Sequence, residues 1–300
     1  MTAAATLNPP GLLDRPADPA SEYASVFPLD GYLAFLDVLR ERDVSVITYD
    51  DLFAGSDDWD HESCYEREFR RWHAERRDPE RIYLLIQHDV DFVPEFTQRI
   101  VALEAAAGVR SNVFLFHEIN RDIPAGSPYD DRPYDVDHPY FRVAEEAGFV
   151  VGYHQNAIAR AGTSVADATA CFRDDVAALR RHHAIDYFCP HGGPGRTIDG
   201  RLYRNFDLDI PAELRGTLRW VYNRYGVRFS KRYSDGGLRR IDDPNRLAGL
   251  DLLAFARSLQ PGQRAFALIH PQLWGYNVQP SYNPHLATQP WYRAFLDRSG

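Results

Sequence analysis

The chain has 300 residues, 44% of them hydrophobic, with 17 Tyr, 17 Phe and 5 Trp, which is enough to bury a sizeable core and excludes a disordered polymer. Its formal net charge is −9, with acidic residues spread along the sequence and no long basic tract, so neither nucleic acid nor an anionic membrane surface is expected as a partner. Three widely spaced cysteines, Cys64, Cys171 and Cys189, give neither a disulfide framework nor a thiolate zinc knuckle; with no signal-peptide pattern and no apolar run approaching a membrane span, a cytoplasmic protein is expected.

Residues 1–20, rich in Ala and Pro, read as a flexible leader, and 21–300 as a single domain. From Pro28 to Arg42 apolar residues recur at helical spacing, and Val44 to Tyr49 (VSVITY) reads as a strand. The charged stretch near 55–80 carries Trp59, Tyr65, Phe69 and Trp72 on one face and reads as a helical insertion, with His61 and His73 solvated.

The stretch RIYLLIQHDVDFVP, Arg81 to Pro94, then sets the argument. Ile82 to Ile86 suits a strand buried on both faces, and it runs into Gln87-His88-Asp89-Val90-Asp91. If strand geometry persists, Asp89 and Asp91 share one side, where two carboxylates repel unless a cation or a proton intervenes. The plainer alternative is that one Asp caps the helix expected over Pro94 to Ala107. Two Asp and a His in four residues exceed what a cap needs.

The rhythm repeats downstream. Val109 to Phe116 ends at His117, Gly148 to Tyr153 at His154-Gln155-Asn156, Ile185 to Cys189 at Pro190-His191, and Arg264 to Ile269 at His270-Pro271. Helical stretches intervene, notably Ser164 to His183 and Arg246 to Leu259. A lone His closing a strand is more often structural, but several closing separate parallel strands point to one shared active face. The polar loop from Asn120 to His138 would shape access to it, whereas His138, His182 and His183 are assigned only capping or packing. There is no Walker loop, GxGxxG or GxSxG element.

These residues resemble the polysaccharide deacetylase family, the NodB-like carbohydrate esterases, in the intracellular branch marked by an HDVD motif, over roughly Leu29 to Trp291. The resemblance implies an α/β fold, a distorted (β/α) barrel of seven or eight strands, and removal of acetyl groups from N-acetyl sugars with a divalent metal, most often Zn2+. It assigns Asp89 as base and Asp91 as metal ligand, His154 (in EEAGFVVGYH) as metal ligand, and His270 (in LIHP) as general acid. Phe188-Cys189-Pro190-His191-Gly192 matches the third motif, and Tyr233-Ser234-Asp235-Gly236-Gly237 the branch's SD-G-G segment. Two positions depart. Ile158 stands where a second metal-binding His follows four residues after the first, and Phe188 and Cys189 stand where an Arg supports the base.

The third ligand must then come from elsewhere: His191 is the choice, with His117 second and Asn156 third. The expected reaction is attack of a metal-activated water on an amide carbonyl, with Asp89 taking the water's proton, a backbone N–H near His191 stabilising the oxyanion and His270 protonating the amine. His88, Asn156, Asp235 and Trp274 are expected on the substrate side, Asp235 also orienting a histidine and Trp274 with Tyr276 stacking on a sugar, against an equal expectation of ordinary packing. The partner expected is a carbohydrate or other small amide. The rival classes are a hydrolase of a ureide or cyclic imide, and a non-catalytic sugar-binding barrel.

Overall fold

In the computed structural model the described residues are 7, 29–55, 78, 80–118, 134–161, 163–193, 195–221, 231–236 and 251–274. In chain order they form α1 (Leu29–Glu41), β1 (Val44–Ile47), α2 (Tyr49–Phe53), β2 (Ile82–Val90), α3 (Pro94–Ala106), β3 (Asn112–Leu115), α4 (His138–Glu146), β4 (Val150–Gln155), α5 (Ala157–Ala161), α6 (Val165–Leu179), β5 (Tyr187–Pro190), β6 (Arg196–Ile198), β7 (Arg201–Tyr203), β8 (Arg219–Trp220), β9 (Lys231–Ser234), α7 (Leu252–Arg257) and β10 (Arg264–Ile269), with single 3-10 turns at Asn205–Asp207, Ala212–Leu214 and Pro271–Leu273. The expected insertion near 55–80 lies almost wholly outside the described residues, as do most of the 120–138 loop and Tyr276. Of the expected leader only Leu7 is described: it is buried, and its carbonyl accepts a hydrogen bond from the Tyr140 hydroxyl.

The fold is α/β, a parallel sheet curled into a half-barrel, as expected of a distorted (β/α) barrel. Seven strands run in the order β8-β5-β4-β3-β2-β10-β9, all pairs parallel, and among the described residues no strand joins β8 to β9. The eighth strand, β1, shares one edge of β2 with β3: it pairs with Ile82 to Leu85, and β3 takes over from Gln87 to Val90. The changeover leaves the Ile86 carbonyl between partners, and Asn112 fills the gap. Its Nδ2 donates to Ile86 O at 2.7 Å while its Oδ1 accepts from the Tyr49 backbone N–H at 2.8 Å, so a backbone group that burial would otherwise orphan is paired.

Period-two alternation separates two environments. Ile82, Leu84 and Ile86 of β2 face outward against α1, α3 and α7 together with Ala265, Ala267 and Ile269 of β10. Tyr83 and Leu85 face inward with Phe114, Val150, Tyr187, Cys189 and Phe266. The concave side of an open half-barrel would be wet, and α2 covers it: Tyr49, Leu52 and Phe53 are buried among those inward side chains. Strand β1 ends two residues earlier than VSVITY suggested because Thr48 caps α2, its hydroxyl accepting from Asp51 N while the Asp51 carboxylate accepts from Thr48 N. On β4, only glycine fits at 152, since a Cβ there would lie 2.4 Å from the Phe114 ring.

Helix α3 begins without a side-chain cap. Its N-cap is Val93, at φ 34° and ψ 77°, so neither Asp89 nor Asp91 is used as a cap. A β-branched residue in the left-handed region carries strain, and here it lies two residues beyond Asp91.

Sequence reading assigned no chemistry to His138, His182 and His183, and the fold gathers them. The His138 and His182 rings stack at 4.0 Å, His138 Nδ1 lies 2.9 Å from His183 Nε2, and His183 Nδ1–H donates to Glu145 at 2.7 Å. Partial burial and the neighbouring His182, His183 and His117 hold the His138 pKa down to about 4, with Asp135 opposing. A depressed histidine stabilises the fold fully above its ordinary value near 6.5 and loses that contribution as pH falls toward 4, because the unfolded chain takes up the proton first. A His138→Gln variant should therefore lose less thermal stability than the parent between pH 6.5 and 4, measured by calorimetric melts across that range; parallel losses would contradict this.

Candidate metal centre

At the carboxyl end of the sheet the inward positions change from apolar to ionisable. On β2 the concave series Tyr83, Leu85, Gln87, Asp89 continues to Asp91 just past the strand, while β4 delivers His154, β5 leads into His191 and β10 into His270. Asp91 sits among all three rings. Its Oδ1 lies 3.1 Å from His154 Nε2 and 3.7 Å from His191 Nε2, and its Oδ2 lies 3.6 Å from His270 Nε2. Asp89 Oδ2 is 3.8 Å from the same His154 Nε2, so both carboxylates face one side as the period-two argument required. Burial works to raise the Asp91 pKa, but His191, His154 and His270 outweigh it and hold the carboxyl below the usual carboxylate range.

The donors of Asp91, His154 and His191 all lie within 4.8 Å of one another. Two ligand bonds near 2.1 Å at a tetrahedral angle place their donor atoms about 3.4 Å apart, so the 3.1 and 3.7 Å separations suit one ion. The tautomer suits it too. His154 Nδ1 is 3.1 Å from the Cys189 carbonyl, which can only accept, so Nδ1 carries a hydrogen, and Nε2, hydrogen-bonded to Asp91 Oδ1 at 3.1 Å, is the nitrogen that an ion would take in place of a proton. The residues therefore fit a divalent ion with imidazole and carboxylate ligands. A second set, Asp89, His154 and Cys189, shares the same ring. Burial, with Asp89 adding to it, pushes the Cys189 thiol well above its ordinary pKa, and its Sγ lies 3.2 Å from the occupied Nδ1, so the first set is the better ligand group.

Phe116, which the sequence reading passed over, holds both rings. It stacks on His154 at 4.9 Å and 17° and meets His191 edge-on at 5.4 Å. Asn205, also missed, closes the back of the centre: its Nδ2 donates to His191 O at 3.1 Å and to Asn156 Oδ1 at 3.3 Å, and its Oδ1 accepts from Ile158 N at 3.1 Å. Phe116 could have been found as the residue just past β3 that shares the inward parity of Phe114. Nothing in the sequence marks Asn205, which lies 14 residues beyond His191.

Opposite the ligand set, Asp235 grips His270. It is fully buried and accepts from His270 Nδ1 at 2.6 Å, from His270 N at 2.8 Å and from Trp274 Nε1 at 2.9 Å. Nδ1 is thus a donor, and Nε2 is the nitrogen that faces Asp91. Burial lowers the His270 pKa, yet Asp235, with Asp91 and Asp89, carries it up to about 10. Glycine is required at 236 because a Cβ there would stand 2.8 Å from His270 Cε1.

Other expected site residues are placed elsewhere. His88 is on the outward face of β2, fully buried, with Nε2 at 3.0 Å from Glu104, which also accepts from Tyr32 and Ser111. This corrects its assignment to the substrate side: the alternation that aligns Asp89 with Asp91 sends His88 through the sheet. Trp274 is 3% exposed, bonded to Asp235 and packed edge-on against Tyr32 at 5.3 Å, so it offers no face to a sugar. Asn156 is buried and engaged by Asn205, and Asp235 bonds His270 and Trp274 rather than facing open solvent. Ile158 is buried in the core under α5 and cannot ligate. His117 lies with Glu118 and the His138 group, outside the ligand set. The His191 N–H, one candidate for an oxyanion contact, already donates to Gln155 O at 2.8 Å.

A scan against protein-family models gives no match, and no curated protein matches the sequence. Among solved structures the chain is similar to a CE4 family pseudoenzyme from Bacillus anthracis, at 13% identity and TM-score 0.37, covering 74% of this chain and 63% of that one. It is similar also to a mutant of the peptidoglycan deacetylase PdaC from Bacillus subtilis, at 12% identity and TM-score 0.36 over 74% of this chain and 100% of that one. A CE4 esterase from Streptococcus mutans gives 13% identity and TM-score 0.36 over 79% and 89%. The chain spans less than two thirds of the length of the B. anthracis protein. No helix among the described residues is long and apolar enough to cross a membrane.

Proposed function

We propose that the protein is a metal-dependent hydrolase that removes an N-acetyl group from an amino-sugar-containing small molecule, acting as one barrel domain over 21–300 in the cytoplasm. The observation that carries this reading is the convergence of Asp91, His154 and His191, with Asp89 and His270 on either flank, at the ends of four strands separated by up to about 180 residues of sequence. Asp91, His154 and His191 would hold the ion, zinc before others given two imidazoles and one carboxylate. When bound, such an ion polarises a carbonyl and lowers the pKa of water.

The chain's own groups supply the rest. Asp89, 8% exposed and unencumbered on Oδ2 by any Lys or Arg among the described residues, takes the proton of the attacking water. His270 gives its Nε2 proton to the departing amine, and Asp235 stabilises the imidazolium and fixes the ring through Nδ1. Phe116 packs against both ligand rings, and Asn205 holds the His191 backbone through its carbonyl.

The test is acetate and free-amine release from a panel of nucleotide-linked and free N-acetyl amino sugars, with and without Zn2+ after chelation. Release that follows zinc supports the proposal. Turnover confined to ureides or cyclic imides, or sugar binding without turnover in a metal-loaded protein, would overturn it.

A further inference from the structure

Asp89 has a supporting structure of its own, independent of the ligand set. Gln87, the next inward residue on β2, donates from Nε2 to Asp89 Oδ1 at 2.8 Å, and the Cys189 thiol approaches the same oxygen at 3.5 Å from β5. The Gln87 amide has one usable orientation. A carboxylate can only accept, so Nε2 must face Asp89, and Oε1 then accepts from the Tyr49 hydroxyl at 2.6 Å. Tyr49 is fixed at its other end, its backbone N–H donating to Asn112 Oδ1. All five residues are buried, Gln87, Tyr49 and Asn112 with no exposure at all.

Resting on the hydrolase reading above, we propose that Tyr49 and Gln87 form a positioning relay that aims Asp89, leaving its Oδ2 toward the reacting water while Oδ1 is held by Gln87 and the Cys189 thiol. The relay explains why α2 enters the half-barrel: it delivers one hydroxyl to the first polar layer beneath the carboxylates. It also explains the glutamine that follows Tyr83 and Leu85 on the inward face of β2, directly before Asp89. Among the described residues no Lys or Arg pairs with Asp89: neutral donors hold its Oδ1, and its Oδ2 lies 3.8 Å from His154 Nε2. Tyr49 and Gln87 touch neither substrate nor ion; they act through Asp89.

The test uses the zinc-loaded full chain carrying Gln87→Met, which keeps the shape and removes the donor, and Tyr49→Phe, which removes one hydroxyl and keeps the fold should Gln87→Met fail to. Gln87→Met is expected to lower kcat by about 10- to 100-fold with KM and zinc content within twofold of the parent. Tyr49→Phe is expected to lower kcat about fivefold, and the double variant to fall no further than Gln87→Met alone, as members of one unit do. Crystal structures of the zinc-loaded parent and both variants supply a readout free of activity. The Asp89 carboxylate should turn away from Cys189 in Gln87→Met and shift in Tyr49→Phe, with Asp91, His154 and His191 unmoved. Superimposable Asp89 carboxylates in all three, or an unchanged kcat in both variants of an active enzyme, overturn the relay. If the parent hydrolyses no amide yet the carboxylate turns, the relay stands and the hydrolase reading fails.

Discussion

Asp91→Ala is expected to leave the purified protein with less than about a tenth of an equivalent of transition metal and to lower amide hydrolysis by at least about a thousandfold. The size of the effect follows from position. In the proposed centre Asp91 would supply the anionic ligand, and its carboxylate lies 3.1, 3.7 and 3.6 Å from the rings of His154, His191 and His270. His191→Ala should behave in the same way, since the position four residues after His154 is a buried isoleucine that cannot substitute for it. His117→Ala should retain full metal, because that ring lies with Glu118 and the His138 group. Elemental analysis of the three variants separates these outcomes. Metal retained in Asp91→Ala, or lost in His117→Ala, would show that the ligand set is drawn wrongly.

Asp235→Asn is expected to lower kcat by about a hundredfold while leaving metal content intact, and to move the basic limb of the pH–rate profile to lower pH. His270 must be protonated to act as an acid, so activity falls as pH rises through its pKa. Asp235 is the largest influence raising that pKa, against the effect of burial. Removing the charge lets the proton leave earlier, hence the downward shift. Stability moves in the same sense. A histidine whose pKa is raised by folding contributes fully below its unfolded value near 6.5 and loses that contribution as pH climbs toward about 10. The variant also breaks a buried arrangement in which one carboxylate accepts from His270 Nδ1, His270 N and Trp274 Nε1. An amide offers a single oxygen for these three donors, and a buried group left unsatisfied costs about 1–3 kcal/mol. An unshifted basic limb with a full metal complement would remove His270 from the acid role.

Much of the centre could be read before folding because its residues lie at strand ends, where a change from apolar to ionisable is visible in one dimension. Parity alone put Asp89 and Asp91 together, and repetition gathered His154, His191 and His270. Parity should also have excluded His88, which sits one residue from Asp89 and therefore on the opposite face, against Glu104 of α3. For Trp274, sugar stacking and ordinary packing stood even in the sequence, and packing holds: its partner, Asp235, is 39 residues away and nothing local announces an indole–carboxylate bond. Asn205, Phe116 and the Tyr49–Gln87 pair were invisible for the same reason: their contacts join elements separated by 14 to 75 residues, and ordinary residue types carry no mark of such contacts. The helix α2 replaced the end of an expected strand because the Thr48–Asp51 capping box outweighs the β propensity of a short VSVITY run.

The most direct test of the account is anomalous diffraction from crystals of the full chain grown with zinc, collected on both sides of the absorption edge. A single peak bonded at about 2 Å to Asp91, His154 Nε2 and His191 Nε2 is the predicted result. A peak held instead by Cys189 with His154 Nδ1, or by the His138, His182 and His183 rings, or no peak at all in zinc-saturated crystals, would contradict it.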